Sequence, residues 1–194
     1  MNNIPEEVID KYREINVYDG WWDYVYDLFA ERMKQVGIHV ENMMFSGFWS
    51  QGDGACFVGW VDDPDLFMLK HDLDEHYPYV YKTLEHDGTL NVSSSHNYHR
   101  YCHENAVSIR VDVDNFECLL GYDYEAEIQQ AVIDVLDEKL YDELADFEQS
   151  CAEIFRDYMR ELYATLRKEY EYLTSDEVVT EAIIDNELYT PEAA

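Results

Sequence analysis

The sequence predicts an α+β fold: a four-stranded, mainly antiparallel sheet with helices on one face, followed by a long acidic helical C-terminal region. Three observations carry this. Gly-dependent turns separate short apolar runs in the first half. One of those runs, Ala106 to Val113, alternates cleanly, with Val107, Ile109, Val111 and Val113 on one side and Ser108, Arg110 and Asp112 on the other. From Tyr122 onward there is no glycine, and no proline before Pro191, while apolar residues recur at helical spacing. Residues 1–121 read as the sheet domain and residues 122–194 as the helical region packed on it, within a single folding unit.

After an acidic lead containing Pro5, Trp22, Val25, Tyr26, Phe29 and Met33 fall three and four apart, and Gly37 suits the position that ends such a helix. Ile38 to Phe45 and Ala55 to Val61 read as a hairpin around Ser46-Gly47-Phe48-Trp49-Ser50-Gln51-Gly52-Asp53-Gly54, which holds three of the chain's eight glycines. Asp63-Pro64-Asp65 is a helix start, and the helix it opens runs toward Glu85 with a kink or break at Pro78. His86-Asp87-Gly88 then turns into a second hairpin, Leu90 to Tyr101 and Ala106 to Val113.

In the helical region the stripe Ile128, Val132, Leu136, Leu140, Leu144, Phe147, Cys151, Ile154, Tyr158, Leu162, Leu166, Tyr170 and Leu173 predicts one or two long helices. Unbroken from Glu125 to Leu173 it would reach roughly 70 Å at about 1.5 Å per residue, so a bend is expected near Glu138 or Ala145. Thr174-Ser175-Asp176-Glu177 has capping-box form and opens a short last helix.

With 194 residues, 47% of them hydrophobic and 17 tyrosines, the chain can bury a real core. Its charge is the outlier: 43 Asp and Glu against 13 Lys and Arg give a net charge of −30. From Asp112 onward 24 acidic residues face five basic ones. Such a chain does not bind nucleic acid directly, because phosphate recognition needs excess Lys and Arg. It does favour encounter with a basic surface, including one that holds nucleic acid. The plainer reading of the same charge is solubility.

Cys56, Cys102, Cys118 and Cys151 have neither zinc-site spacing nor a disulfide framework. No apolar leader segment and no run of about 18 apolar residues is present. The expectation is a reduced, soluble, cytoplasmic protein that lacks a metal, a cofactor and any attachment to a membrane.

Two groups could carry chemistry. His96, His99 and His103 crowd the second hairpin with Glu104; on a strand His96 and His99 face opposite sides, so only His99 and His103 could converge, with Asp53 from the other hairpin. Ser46, Ser50 and Asp53 supply ingredients of nucleophilic catalysis, but no nucleophile elbow, phosphate loop or zinc-protease motif accompanies them. The structural readings are preferred: exposed polar residues on a sheet face, and a turn whose side chains bond their own backbone.

Phe45-Ser46-Gly47-Phe48-Trp49-Ser50-Gln51-Gly52-Asp53-Gly54-Ala55-Cys56-Phe57 and Glu169-Tyr170-Glu171-Tyr172-Leu173-Thr174-Ser175-Asp176-Glu177 resemble stretches of small proteins encoded by tailed bacteriophages, with Tyr101 to Glu104 a third similar patch. Proteins of that group, marked by SGFxSQGDGAxF, are commonly labelled antitoxin-like or hypothetical. The resemblance implies a phage product in the host cytoplasm that binds a bacterial protein with a basic surface. On that reading it neutralises a toxin or a nucleic-acid-handling defence enzyme, its acidic helical face acting as a nucleic-acid mimic. Contacts are expected from Ser46, Ser50, Gln51, Asp53, His99, Tyr101 and His103 at the hairpin tips and from Asp134, Glu138, Asp142 and Glu153 on the helices. The alternative is a small hydrolase or nuclease-like enzyme using Asp53, His99 and His103.

Overall fold

The glycine-rich turn does join two strands. In the computed structural model, which describes residues 4–86, 88–96, 101–116 and 127–190, β1 (Ile38–Phe45) pairs antiparallel with β2 (Ala55–Val61) from Phe45 opposite Ala55 to Ile38 opposite Val61. β3 (Leu90–His96) and β4 (Val107–Val113) form the second hairpin, and the sheet runs β1-β2-β3-β4, antiparallel throughout. The hairpins that carry the two candidate groups therefore lie side by side in one sheet.

Burial follows the alternation. On β4 Val107 and Val111 are buried while Ser108, Arg110 and Asp112 are exposed; on β3 Leu90, Val92 and Ser94 are buried while Asn91, Ser93 and Ser95 are exposed. Ser94 explains how so polar a strand enters the core. Strands β2 and β3 are registered only at Trp60 opposite Ser93, and the Ser94 hydroxyl accepts the Gly59 N–H at 2.9 Å and lies 3.3 Å and 3.2 Å from the carbonyls of Phe57 and Gly59. A buried amide that the ladder leaves over is thus satisfied by a side chain.

The helices are α1 (Glu6–Lys11), α2 (Asp23–Lys34), α3 (Pro64–Lys70), α4 (Leu73–His76), α5 (Pro78–Glu85), α6 (Glu127–Leu173) and α7 (Asp176–Asp185), with a 3-10 turn at Glu104–Ala106. The helix expected between Pro64 and Glu85 is broken at Pro78, and a second time where Asp72 adopts a left-handed conformation at φ 55°. Asp63 caps α3 by accepting from Leu66 N, and Ser175 caps α7 by accepting from Val178 N. α1 has no counterpart in the sequence expectation.

The expected bend near Glu138 or Ala145 is absent. Residues 127–173 form one helix of 47 residues, because the segment holds neither glycine nor proline and its apolar stripe continues through Leu140, Phe147, Cys151, Phe155, Met159, Leu162 and Leu166. At its start the stripe is displaced by one position: Ile133 is buried and Val132 exposed, since seven residues before Leu140 is two turns and eight is not. The side chain of Ile128 lies outside the described residues.

Two compact units are formed: residues 29–162, and residues up to Leu28 together with those from Tyr163 onward. α6 could exceed one domain's length because its residues 127–162 belong to one unit and 163–173 to the other.

In the unit of residues 29–162, four rings join four elements. Phe57 on β2 lies 5.7 Å from Phe29 of α2 and 5.5 Å from Phe155 of α6, which lies 6.3 Å from Phe67 of α3. α5 is held to α6 by the Glu143 carboxylate, which accepts from the N–H groups of Tyr79 and Val80 in the first helical turn. Tyr77 adds a ring contact with Phe147 at 5.2 Å and a hydrogen bond to Ser150 at 2.6 Å.

In the other unit the early and late parts of the sequence meet. Ile4 packs with Val179 and Ile183, and Val8, Ile9, Tyr12, Ile15 and Tyr189 surround them. Arg13 bonds the Thr174 carbonyl and pairs with Asp176 and Asp10, and Asn16 donates to the Leu173 carbonyl.

Candidate functional site

The loop between β1 and β2 is built largely from its own backbone. Ser46 N–H bonds the Gly54 carbonyl and Asp53 N–H the Ser50 carbonyl, each at 3.1 Å, while the Asp53 carboxylate accepts the Ser50 N–H at 2.6 Å. Asp53 is therefore a turn-capping residue. Trp49 sits at the tip, 62% exposed, with φ 69°, a conformation uncommon for a bulky residue. Phe48 stacks on Phe45 at 5.8 Å and meets Trp49 edge-on at 5.6 Å. Ser46, Ser50 and Gln51 are exposed.

The glycines of this loop are explained by the other hairpin. A Cβ on Gly52, which has φ +90°, would lie 3.0 Å from the Tyr101 ring. A Cβ on Gly54 would lie 2.9 Å from the Cα of His103 and 3.1 Å from the Cys102 carbonyl. Residues 101–103 thus form a strap across Gly52 and Gly54. Sequence spacing within one hairpin did not reveal this contact, since it depends on sheet order.

His103 is tied into its own turn. Its Nδ1 accepts from Asn105 N–H at 3.2 Å, capping the 3-10 turn, and lies 3.0 Å from the Glu104 carboxylate. Glu104 also lies 3.4 Å from Arg160. Among the described residues no hydrogen bond joins Asp53 to His103, and no group of three His, Cys, Asp or Glu side chains is placed to hold a metal. His99 lies outside the described residues.

Two clefts of about 310 and 300 Å³ lie elsewhere in residues 29–162, one lined by Lys34, His39 and Asp63, the other by His71, Tyr77, Glu153 and Asp157. In the second, His71 donates Nδ1–H to the Phe67 carbonyl and accepts from the Tyr158 hydroxyl, both at 2.8 Å; burial lowers its pKa, in keeping with a neutral ring. Neither Asp53 nor His103 lines these clefts.

The helical candidates are all on α6 and exposed. Asp134 accepts from Gln130 at 2.9 Å, and Asp142 lies 3.8 Å from Lys139. Glu153 is held by Arg160 at 3.0 Å and Arg156 at 3.6 Å, and the Arg160 hydrogen bond lowers its pKa. At about 100° per residue Asp134, Glu138, Tyr141, Asp142 and Glu153 fall on the half of the helix opposite Ile133, Leu140, Phe147 and Cys151, and the exposed Glu148 lies at the edge of that half.

A family model for a domain of unknown function, DUF8835, matches residues 21–176. The chain belongs to the DUF8835 family. The match takes in the loop, the strap and the whole acidic helix, so the DUF8835 region contains every candidate described above, while α1 and most of α7 fall outside it. No curated protein and no solved structure matches the chain. No helix among the described residues of this DUF8835 protein is long and apolar enough to cross a membrane.

The loop's construction predicts an order of stabilities. Gly52→Val and Gly54→Val are each expected to cost about 2–3 kcal/mol through backbone strain and collision with the strap. Asp53→Ala removes one capping bond and is expected to cost about 1 kcal/mol. Thermal denaturation of the three variants checks this; an Asp53 variant less stable than both glycine variants would contradict it.

Proposed function

We propose that the chain is a phage-encoded protein that acts in the host cytoplasm by binding and neutralising a bacterial factor with a basic surface, a toxin or a nucleic-acid-handling defence enzyme. The outer face of α6 takes the place of nucleic acid. One observation carries the reading: on that face apolar groups are interleaved with the carboxylates. Val135 and Tyr141 are 54% and 60% exposed between Asp134, Glu138 and Asp142. A face serving solubility alone has no need of such groups, whereas an exposed tyrosine among charges suits a protein contact.

The spacing supports mimicry. From Asp134 to Glu153 the exposed carboxylates Asp134, Glu138, Asp142, Asp146, Glu148 and Glu153 lie on an unbroken helix. They average about one per 5–6 Å of axis at ~1.5 Å per residue, sparser than the ~3.4 Å per charge of one nucleic-acid strand yet held rigidly in line.

The test is capture from bacterial lysate across a salt series, with and without competing DNA. Binding is expected to fall steeply as salt shortens the Debye length from about 10 Å at 0.1 M to about 3 Å at 1 M, and DNA is expected to displace the partner. Reversing Asp134, Glu138, Asp142 and Glu148 together to Lys should weaken capture at least tenfold, while reversing acidic residues in the first 14 positions should not. Glu148 replaces Glu153 here because reversal of Glu153 also breaks its pairs with Arg156 and Arg160. A partner indifferent to salt, DNA and these reversals would overturn the mimic reading and leave the loop and strap as the contact.

A further inference from the structure

We propose that Cys56 and Cys102 form an oxidisable pair, closing into a disulfide that fastens the strap of residues 101–103 to β2 when the protein meets a peroxide. The inference does not depend on the function proposed above.

The geometry comes from the strap. Gly54 immediately precedes β2 and stands two residues before Cys56, the spacing that puts residues of an extended chain on one side. Against that side lie the Cys102 carbonyl and the His103 Cα, each near enough to exclude a side chain at Gly54. Cys102 is thereby brought beside Cys56; both thiols are free, and a Cys102 thiolate would accept a hydrogen bond from Cys56. No other pair of described cysteines is in contact: Cys151 is buried on α6.

The two sulfurs are inequivalent, which assigns the order of steps. Cys56 is fully buried, and burial pushes its thiol up to about 12; Cys102 is half-buried, its thiol is raised less, and the bond from Cys56 favours its thiolate. The Cys102 thiolate attacks one peroxide oxygen and breaks the O–O bond. Hydroxide leaves and takes up the proton lost from Cys102, giving Cys102 sulfenic acid and water. The Cys56 sulfur then attacks the sulfenic sulfur, its proton leaving with the hydroxyl as a second water. Two thiols and one hydrogen peroxide thus yield one disulfide and two waters. Because burial raises both thiols, the reaction is slow at neutral pH and quickens as pH rises.

The bond would close a loop from residue 56 to residue 102, restricting the unfolded chain and immobilising the strap over Gly52 and Gly54. The test treats the native full chain with hydrogen peroxide, blocks remaining thiols with N-ethylmaleimide and maps peptides without reduction. The expected result is a linked Cys56–Cys102 peptide lighter by two hydrogens, formed faster at pH 9 than at pH 7. The oxidised protein should unfold roughly 10 °C higher than the reduced one. Cys56→Ser should leave Cys102 to proceed to the sulfinic acid, and Cys102→Ser should leave Cys56 unreacted in the folded protein. Cys102 over-oxidised beside a free Cys56 in the unsubstituted chain, or Cys102 linked to Cys118, Cys151 or a second chain, would overturn the proposal. So would a linked protein that unfolds below the reduced one.

Discussion

Phe155→Ala is expected to lower stability by about 3–5 kcal/mol, with an unfolding temperature at least roughly 10 °C below that of the unsubstituted chain. Phe155 is fully buried, and its ring lies between Phe57 of the sheet and Phe67 of α3, with Phe29 of α2 on the far side of Phe57. Truncation removes the transfer free energy of the ring and leaves a void that three rings on three different elements would have to move together to fill. Tyr141→Ala on the same helix is the control: at 60% exposure it should change stability by no more than about 0.5 kcal/mol. Urea unfolding of both variants measures the difference. A Phe155 variant within about 1 kcal/mol of the parent would mean that the four rings do not form the core.

Gly59→Ala is expected to be at least as damaging, about 3 kcal/mol or more, although it adds a single carbon. A Cβ there would overlap the carbonyl oxygen of His39 on β1 and press on the Val40 Cα, and backbone on a paired strand cannot swing aside as a side-chain end can. The register of β1 and β2 is already irregular between Val40 and Asn42, and the Gly59 amide donates to the Ser94 hydroxyl on β3. Separating β1 from β2 to admit the methyl would therefore disturb β3 as well. Loss of a cooperative transition in circular dichroism is the expected reading; a variant that melts with the parent would show that β1 and β2 are less closely apposed at this point.

What could be read in the sequence was whatever local chemistry decides. Pro78 broke its helix because its ring forbids continuation, Ser175 capped α7 because its hydroxyl finds an amide three residues on, and the β4 alternation reported its own burial. The second break at Asp72 was not legible, since a left-handed aspartate leaves no compositional mark. The continuity of α6 was misjudged through an argument about domain size, not about residues. In the candidate site the glycine turn was legible, but the pressure of Tyr101, Cys102 and His103 on Gly52 and Gly54 depends on which strands are neighbours, and no spacing within one hairpin carries that information. The capping of α5 by Glu143 is of the same kind, made across more than sixty positions of sequence.

The packing of Ile4 against Val179 and Ile183, and the grip of Arg13 on Thr174 and Asp176, set an order of events during synthesis. A ribosome delivers the first segment of this unit long before the last, at roughly 5–20 residues per second, so Ile4, Val8 and Ile9 wait several seconds for their partners. Residues 29–162 emerge as one continuous stretch and can condense while translation proceeds. The other unit is completed only once Val179 and Ile183 have emerged. A chain stopped short of Val179 would leave Ile4, Val8 and Ile9 without the helix that covers them, exposed to quality-control proteases.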